Sequence, residues 1–475
     1  MKLFNEDTRV KFPATIQFLR LGYDYQSLKN TEIDFETRIF KERFRNSVDK
    51  FNNVNLSDDE LEQVLVDINR SIKNNDLGKE FYNWLVDPKD KLKLIDFDNI
   101  YNNDFAVVDE LPFNVKEGTE QGSFRPDINI LINGMPLGFL EVKKPNNDGG
   151  IQKEFNRMIN QRLVNDEWKK FFNLIQFVSF SNNMEYEDED NDFADVIKAG
   201  SFYTTPNGTS TSFSFFREDD MMYHQNYDYK EISEETIKYV VQDGGYNPNE
   251  TDTVEFETNL SVYSPCNRFI SSVFDKERFM YFLNYGIMYL TETKKIKDKT
   301  TGKEIEMPIK QKHIMRYPQF FATRKIVERL EKGGKGGIIW HTQGSGKTAL
   351  SAFSNKVLRE YYAKKGITAR FFFIVDRLDL MRQATQEFKN RHFNVINCSN
   401  KSELTKELNT PLAMTSEDCI GDVVVVNTHK IVDNSKMPQA KNDYGAKIQR
   451  IFFIDEAHRS YSQHGEFYKN LMTSD

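Results

Sequence analysis

The stretch FRPDINILINGMPLGFLEVKKP, residues 124–145, reads as an apolar hairpin except where it carries Asp127 near one end and Glu141 and Lys143 near the other. Residues i and i+2 of a strand share a face, so Glu141 and Lys143 project together while Val142 points away. A hairpin that sets its two arms side by side can bring Asp127 to the same spot. Two carboxylates converging in a partly buried place repel, and each has its pKa raised unless a cation joins them. A hard divalent ion such as Mg²⁺, which keeps waters and takes one or two protein carboxylates, is the natural partner. A water held there loses a proton more readily and can attack a phosphodiester, with Lys143 orienting it or offsetting the developing charge. The competing reading makes Asp127 a turn or cap residue and pairs Glu141 with Lys143 on an exposed strand.

A second chemistry is written into GGIIWHTQGSGKTALSAF. Gly337 to Trp340 reads as a short apolar strand, followed by a glycine-rich turn and a helix beginning around Thr348. Backbone N–H groups around Gly344, Ser345 and Gly346 can wrap a phosphate because glycine allows close approach and left-handed angles. Lys347 reaches the β and γ phosphates of ATP, Thr348 holds Mg²⁺, and the helix amino terminus adds partial positive charge. His341 stands where the general pattern begins with glycine. Downstream, RIFFIDEAHRSY gives an apolar strand ending in Asp455-Glu456-Ala457-His458. Asp455 there helps hold Mg²⁺ through water and Glu456 polarises the attacking water. ARFFFIVDRLDLMRQ and DVVVVNTHKI supply two more continuous apolar runs, as parallel strands covered on both faces require. Upstream, MRYPQFFATRKIVERL resembles the adenine-recognising segment of helicase-type motors, which implies Gln319 as the base-reading amide, with donor and acceptor in one plane.

These motifs carry a resemblance. RPD followed by LEVKKP resembles the PD-(D/E)xK nuclease core, in particular the version at the amino end of the R subunit of type I restriction-modification enzymes. That resemblance implies that Asp127 and Glu141 are metal ligands and Lys143 the catalytic lysine, with Glu6, on the first helix, as a possible further ligand. The family also carries a Gln and a Tyr four residues apart on the following helix. Gln152 and Gln161 are followed at that spacing by Asn156 and Asn165, so the pattern is not kept. The second motif set resembles motifs Q, I, Ia, Ib and II of a superfamily 2 helicase or translocase, which would place Arg377 and Thr428 on the DNA-facing side.

The elements that must position these residues follow from the chain as a whole. The fold class expected is α/β: a PD-(D/E)xK endonuclease domain at 1–180, a connector at 181–308, and a RecA-like parallel-sheet P-loop lobe at 309–475. At 475 residues the chain has room for them. The connector begins at the acidic run from Glu185 to Asp192, which reads as a solvated loop. It continues through a helical pattern at about 255–290 and a lysine-rich hairpin around Thr301-Gly302. No space remains after His458 for a second motor lobe, so a longer polypeptide is expected. A net charge of −8 excludes a globally basic DNA-coating protein, so DNA contact must come from local clusters. Cys266, Cys398 and Cys419 have no metal-ligand spacing, no apolar signal core opens the chain, and no run of about 18 apolar residues could span a membrane.

The implied function is an ATP-dependent type I deoxyribonuclease subunit, cytoplasmic, acting on double-stranded DNA with methyltransferase (M) and specificity (S) subunits, using Mg²⁺ and ATP. A different helicase-nuclease fusion in repair or phage defence is the alternative. A third reading is a non-catalytic assembly module.

Overall fold

The computed structural model describes residues 5–113, 124–145, 150–186, 199–218, 227–297, 304–342, 346–409, 421–427 and 447–455. The chain divides into two compact units: residues 1–287 with 312–317, and residues 288–311 with 318–475.

The first unit is built on a mixed seven-stranded sheet in strict chain order, β1 (Asp24–Tyr25), β2 (Phe105–Asp109), β3 (Ile128–Ile132), β4 (Met135–Val142), β5 (Phe177–Ser181), β6 (Ser201–Thr204) and β7 (Ser214–Phe215). β2, β3, β4 and β5 are buried along their whole length, so this sheet is covered on both faces. On one face Phe139, Val178 and Phe180 pack with Ile151, Phe155 and Met158 of the helical stretch that follows the hairpin. On the other, Phe177 meets Phe274 and Phe279, and Phe274 also contacts the first helix, Phe12–Arg20, through Phe18. The sequence places the end of the nuclease core near residue 180; β6 and β7 carry the same sheet past that point, and helix Pro265–Phe274 packs beneath it. Within the run read as helical, Asp275 caps a new helix, Lys276–Tyr285, and a strand starts at Ile287.

The β3–β4 connection is a two-residue turn, Asn133 and Gly134, both with positive φ (54° and 74°), the geometry that matches strand twist. A Cβ at Gly134 would lie 2.6 Å from the Phe40 carbonyl oxygen. The Asn133 amide is fully buried, donating to the Leu94 carbonyl and to Asn103 Oδ1 at 2.9 Å each. The turn is therefore fixed to the body of the unit. Between Ile130 and Leu131 the register shifts because β4 bulges at Leu137, the extra residue next to Pro136, which has no N–H for the ladder.

The lysine-rich hairpin forms as β8 (Ile287–Lys297) and β9 (Glu304–Ile314); its expected turn at Thr301-Gly302 lies outside the described residues.

The second unit holds four parallel strands in the order β11 (Phe393–Cys398), β12 (Gly421–Asn427), β10 (Thr368–Val375), β13 (Ile448–Ile454). Period-two alternation decides what covers each face. Phe371 packs with Leu358 and, more loosely, Ile326 and Leu330, whereas Phe372 and Ile374 pack with Leu404 and Leu408. The two units are thus α/β as expected, a mixed sheet followed by a parallel one.

One expected element is missing. Gly337–Trp340 makes no strand: Ile338 is 91% and Trp340 92% exposed, and the described segment from Gly334 to Thr342 is irregular. Residues 337–342, which lead into the phosphate loop, therefore add no strand to the sheet that holds β13, contrary to the sequence reading. Two glycines, Gly336 and Gly337, lead into Ile338 and Ile339, and their backbone entropy works against extending a strand there.

Candidate active site

The bulge sets the site. β3 pairs with β4 as Ile128 opposite Leu140, and continuing that register puts Asp127 opposite Glu141. The Asp127 N–H reaches Glu141 Oε2 at 3.4 Å, and Asp127 Oδ2 accepts from the Val142 N–H at 2.8 Å. Lys143 Nζ lies 3.6 Å from Asp127 Oδ2 and 3.1 Å from Glu6 Oε1. Its main chain continues the sheet, N–H to the Ser181 carbonyl at 2.8 Å. The three hairpin residues therefore converge, and the exposed-pair alternative fails because Glu141 is 3% exposed.

Glu6 stands just before a π-helical turn, Asp7–Lys11, that runs into helix Phe12–Arg20. It binds Lys143 rather than joining Asp127 and Glu141. Among the described residues no group of three or more His, Cys, Asp or Glu side chains is placed to hold one metal ion.

The electrostatics follow from burial. Burial, and then the neighbouring Glu141 charge, push the Asp127 carboxyl well above its usual range. Burial also acts upward on Glu141, but the Arg162 guanidinium and Lys143 outweigh it and hold the group below its usual value. Burial works against the Lys143 ammonium, yet Asp127, Glu141 and Glu6 together raise its pKa, so it stays charged. A desolvated carboxylate pair of this kind suits a hard cation through one oxygen from each side chain.

Arg162 is the residue that sequence reasoning missed. It ends the π-helical stretch Met158–Arg162, is 7% exposed, donates from Nη1 to Glu141 Oε1, and stacks over the Phe124 ring at 4.2 Å. The helix does lack the family's Gln/Tyr pair, and Gln152 simply donates to Asn156 at 3.1 Å. A basic residue on the buried side of that helix was the available signal. A second buried group lies on the adjacent strand: Asp109 accepts from Thr15 at 3.0 Å, and burial, opposed by Lys11, pushes its carboxyl up to about 7.

In the second unit, helix Lys347–Ala363 begins at Gly346, whose φ of 82° is left-handed. Gln319 is buried at 3% exposure, and its amide donates to the Gly346 carbonyl at 3.1 Å, so it faces the phosphate-loop backbone. Lys347 and Thr348 are half-buried on the first turn. Burial, then the Lys347 charge, lower the His341 pKa. Asp455 follows β13 and its N–H bonds the Ile374 carbonyl at 3.0 Å. Arg377 is exposed at the start of helix Leu378–Asn390. Gly344, Ser345, Glu456 and Thr428 lie outside the described residues.

Residues 3–187 match the type I restriction enzyme R protein N terminus family, and residues 318–474 match the SWI2/SNF2 ATPase family. The chain is 24% identical, over 98% of its length, to a putative type I restriction enzyme MjaIXP endonuclease subunit of Methanocaldococcus jannaschii. It is 25% identical over 94% to the SsaAORF53P endonuclease subunit of Staphylococcus saprophyticus, and 23% over 94% to the HindI endonuclease subunit of Haemophilus influenzae. It spans 41%, 39% and 38% of those relatives, respectively. No helix among the described residues is long and apolar enough to cross a membrane.

Proposed function

We propose that this chain, which carries an R-protein amino-terminal domain ahead of an SWI2/SNF2 ATPase domain, is the nuclease and first motor lobe of a type I restriction R subunit. It cleaves double-stranded DNA in the cytoplasm with Mg²⁺, coupled to ATP-driven translocation and to M and S subunits that recognise the site. The observation that carries this reading is the convergence of Asp127, Glu141 and Lys143 in one buried place upstream of a nucleotide-binding domain.

Asp127 and Glu141 would hold the divalent ion, which when bound supplies an acidified water and Lewis-acid pull on the scissile phosphate. Lys143, kept charged by three carboxylates, faces the anion and offsets charge that builds on phosphorus. Glu6 fixes the Lys143 ammonium. In the second unit Lys347 would oppose the β and γ phosphates, Thr348 and Asp455 would hold Mg²⁺, Gln319 would read adenine, and Glu456 would polarise the attacking water.

The test is cleavage of double-stranded DNA by an R polypeptide that contains these residues together with a second motor lobe, assembled with M and S subunits. Cleavage should require both Mg²⁺ and ATP and disappear in Asp127→Ala, with ATP hydrolysis retained. Cleavage by Asp127→Ala at the normal rate would remove the assignment.

A further inference from the structure

Glu141 presents its two oxygens to different partners. Oε1 takes the Arg162 guanidinium, and Oε2 is turned to Asp127, whose N–H lies 3.4 Å away. The arrangement is rigid. Glu141 and Arg162 are 3% and 7% exposed, and the guanidinium plane is held against Phe124 at 4.2 Å. Arginine keeps its charge at every accessible pH, so no acidity change releases Oε1. A lysine point charge would lack the planar stacking but still cover the same oxygen.

We propose that Arg162 is a positioning residue that makes Glu141 a one-oxygen ligand and so restricts the nuclease site to a single divalent cation. This rests on the metal-nuclease reading above and deepens it. An ion held by Asp127 and Glu141 would take Oε2, the Glu141 oxygen turned to Asp127. A second ion would need Oε1, where it would meet a buried guanidinium on the same atom. The pair therefore leaves room for one cation. With Arg162 removed, the site becomes more negative and the Glu141 carboxylate is free to bridge, and both changes favour taking up another ion. Glu6 does not alter the count, because Lys143 occupies it.

The test is Mn²⁺ binding to the full 475-residue chain without nucleotide, followed by electron paramagnetic resonance. The chain should bind one Mn²⁺ that is lost in Asp127→Asn. Arg162→Met should bind two, and Arg162→Lys should stay at one. In the assembled complex Arg162→Met should cleave about 10- to 100-fold more slowly, the usual cost of losing a partner that orients a metal ligand, with Arg162→Lys recovering part of the loss. Circular dichroism and nucleotide binding check that each variant folds. Two ions in the unsubstituted chain overturn the proposal, and so does a folded Arg162→Met chain that still takes one. If the unsubstituted chain binds no ion at the Asp127 site, the metal-nuclease reading itself falls, and a misfolded Arg162→Met variant leaves the unsubstituted and Arg162→Lys counts to decide.

Discussion

Glu141 is 3% exposed, in a strand buried from end to end, whereas Ile338 and Trp340, just ahead of Lys347, are 91% and 92% exposed and belong to no strand. The nuclease site holds its charges by sheet register, inside a body that also sets the fold. The nucleotide segment holds Lys347 at a helix start beside a left-handed glycine, outside its sheet. Charge in the first site is costly and tightly partnered; charge in the second is half in water. Substitutions should therefore mix function with stability in the first and separate them in the second.

The largest expected effect is on chemistry. Lys143→Ala should lower DNA cleavage by about 10²- to 10³-fold, as loss of one aimed cation or donor does in other sites, without changing ATPase turnover. A rate assay on the assembled complex measures both, and a parallel fall in ATPase would erase the proposed separation.

Next is stability. The folded Asp109 carboxyl, raised to about 7, compares with an ordinary value of about 3.9 when unfolded. A raised acid is stabilising only while protonated, so its cost grows as pH rises from about 4 to 7 and is constant above. Asp109→Asn, which still accepts from Thr15, should stabilise the chain by a few kcal/mol at most above pH 7. The gain should vanish near pH 4, and urea melts across that window would expose a pH-independent change.

Lys347→Ala should weaken ATP binding about ten- to a hundredfold, the range of a lost charged hydrogen bond, and leave the melting temperature unchanged. Calorimetric titration with a nonhydrolysable ATP analogue decides it. Smallest of all, Ile338→Ser should alter unfolding free energy by no more than about 0.5 kcal/mol, since so exposed a side chain has little packing to lose. A larger loss on chemical denaturation would mean that the segment packs against something and that the contrast between the two regions is false.

Much of this was local and therefore legible. Alternation placed Glu141 and Lys143 on one face, continuous apolar runs such as Phe371 to Val375 marked buried parallel strands, and the lysine-rich hairpin followed from its turn and charge pattern. Short-range rules failed where the energy was nonlocal. The Gly337–Trp340 run has strand composition, but a strand needs a partner strand, and no period along the chain encodes one.

By itself, then, the sequence determined which residue types share a strand face or a helix start, because those depend on periods of two and 3.6 along the chain. The tertiary structure decided which of them meet. Without the bulge between Ile130 and Leu131, the register set at the Asn133-Gly134 turn would leave Asp127 opposite Leu140, and a slip of one residue turns a side chain to the other face. Arg162 arrives from a helix whose position depends on the packing of Phe155 and Met158 against the sheet, and Glu6 reaches Lys143 from the far end of the unit's chain. No local pattern encodes those meetings, because they are set by contacts between residues distant in sequence.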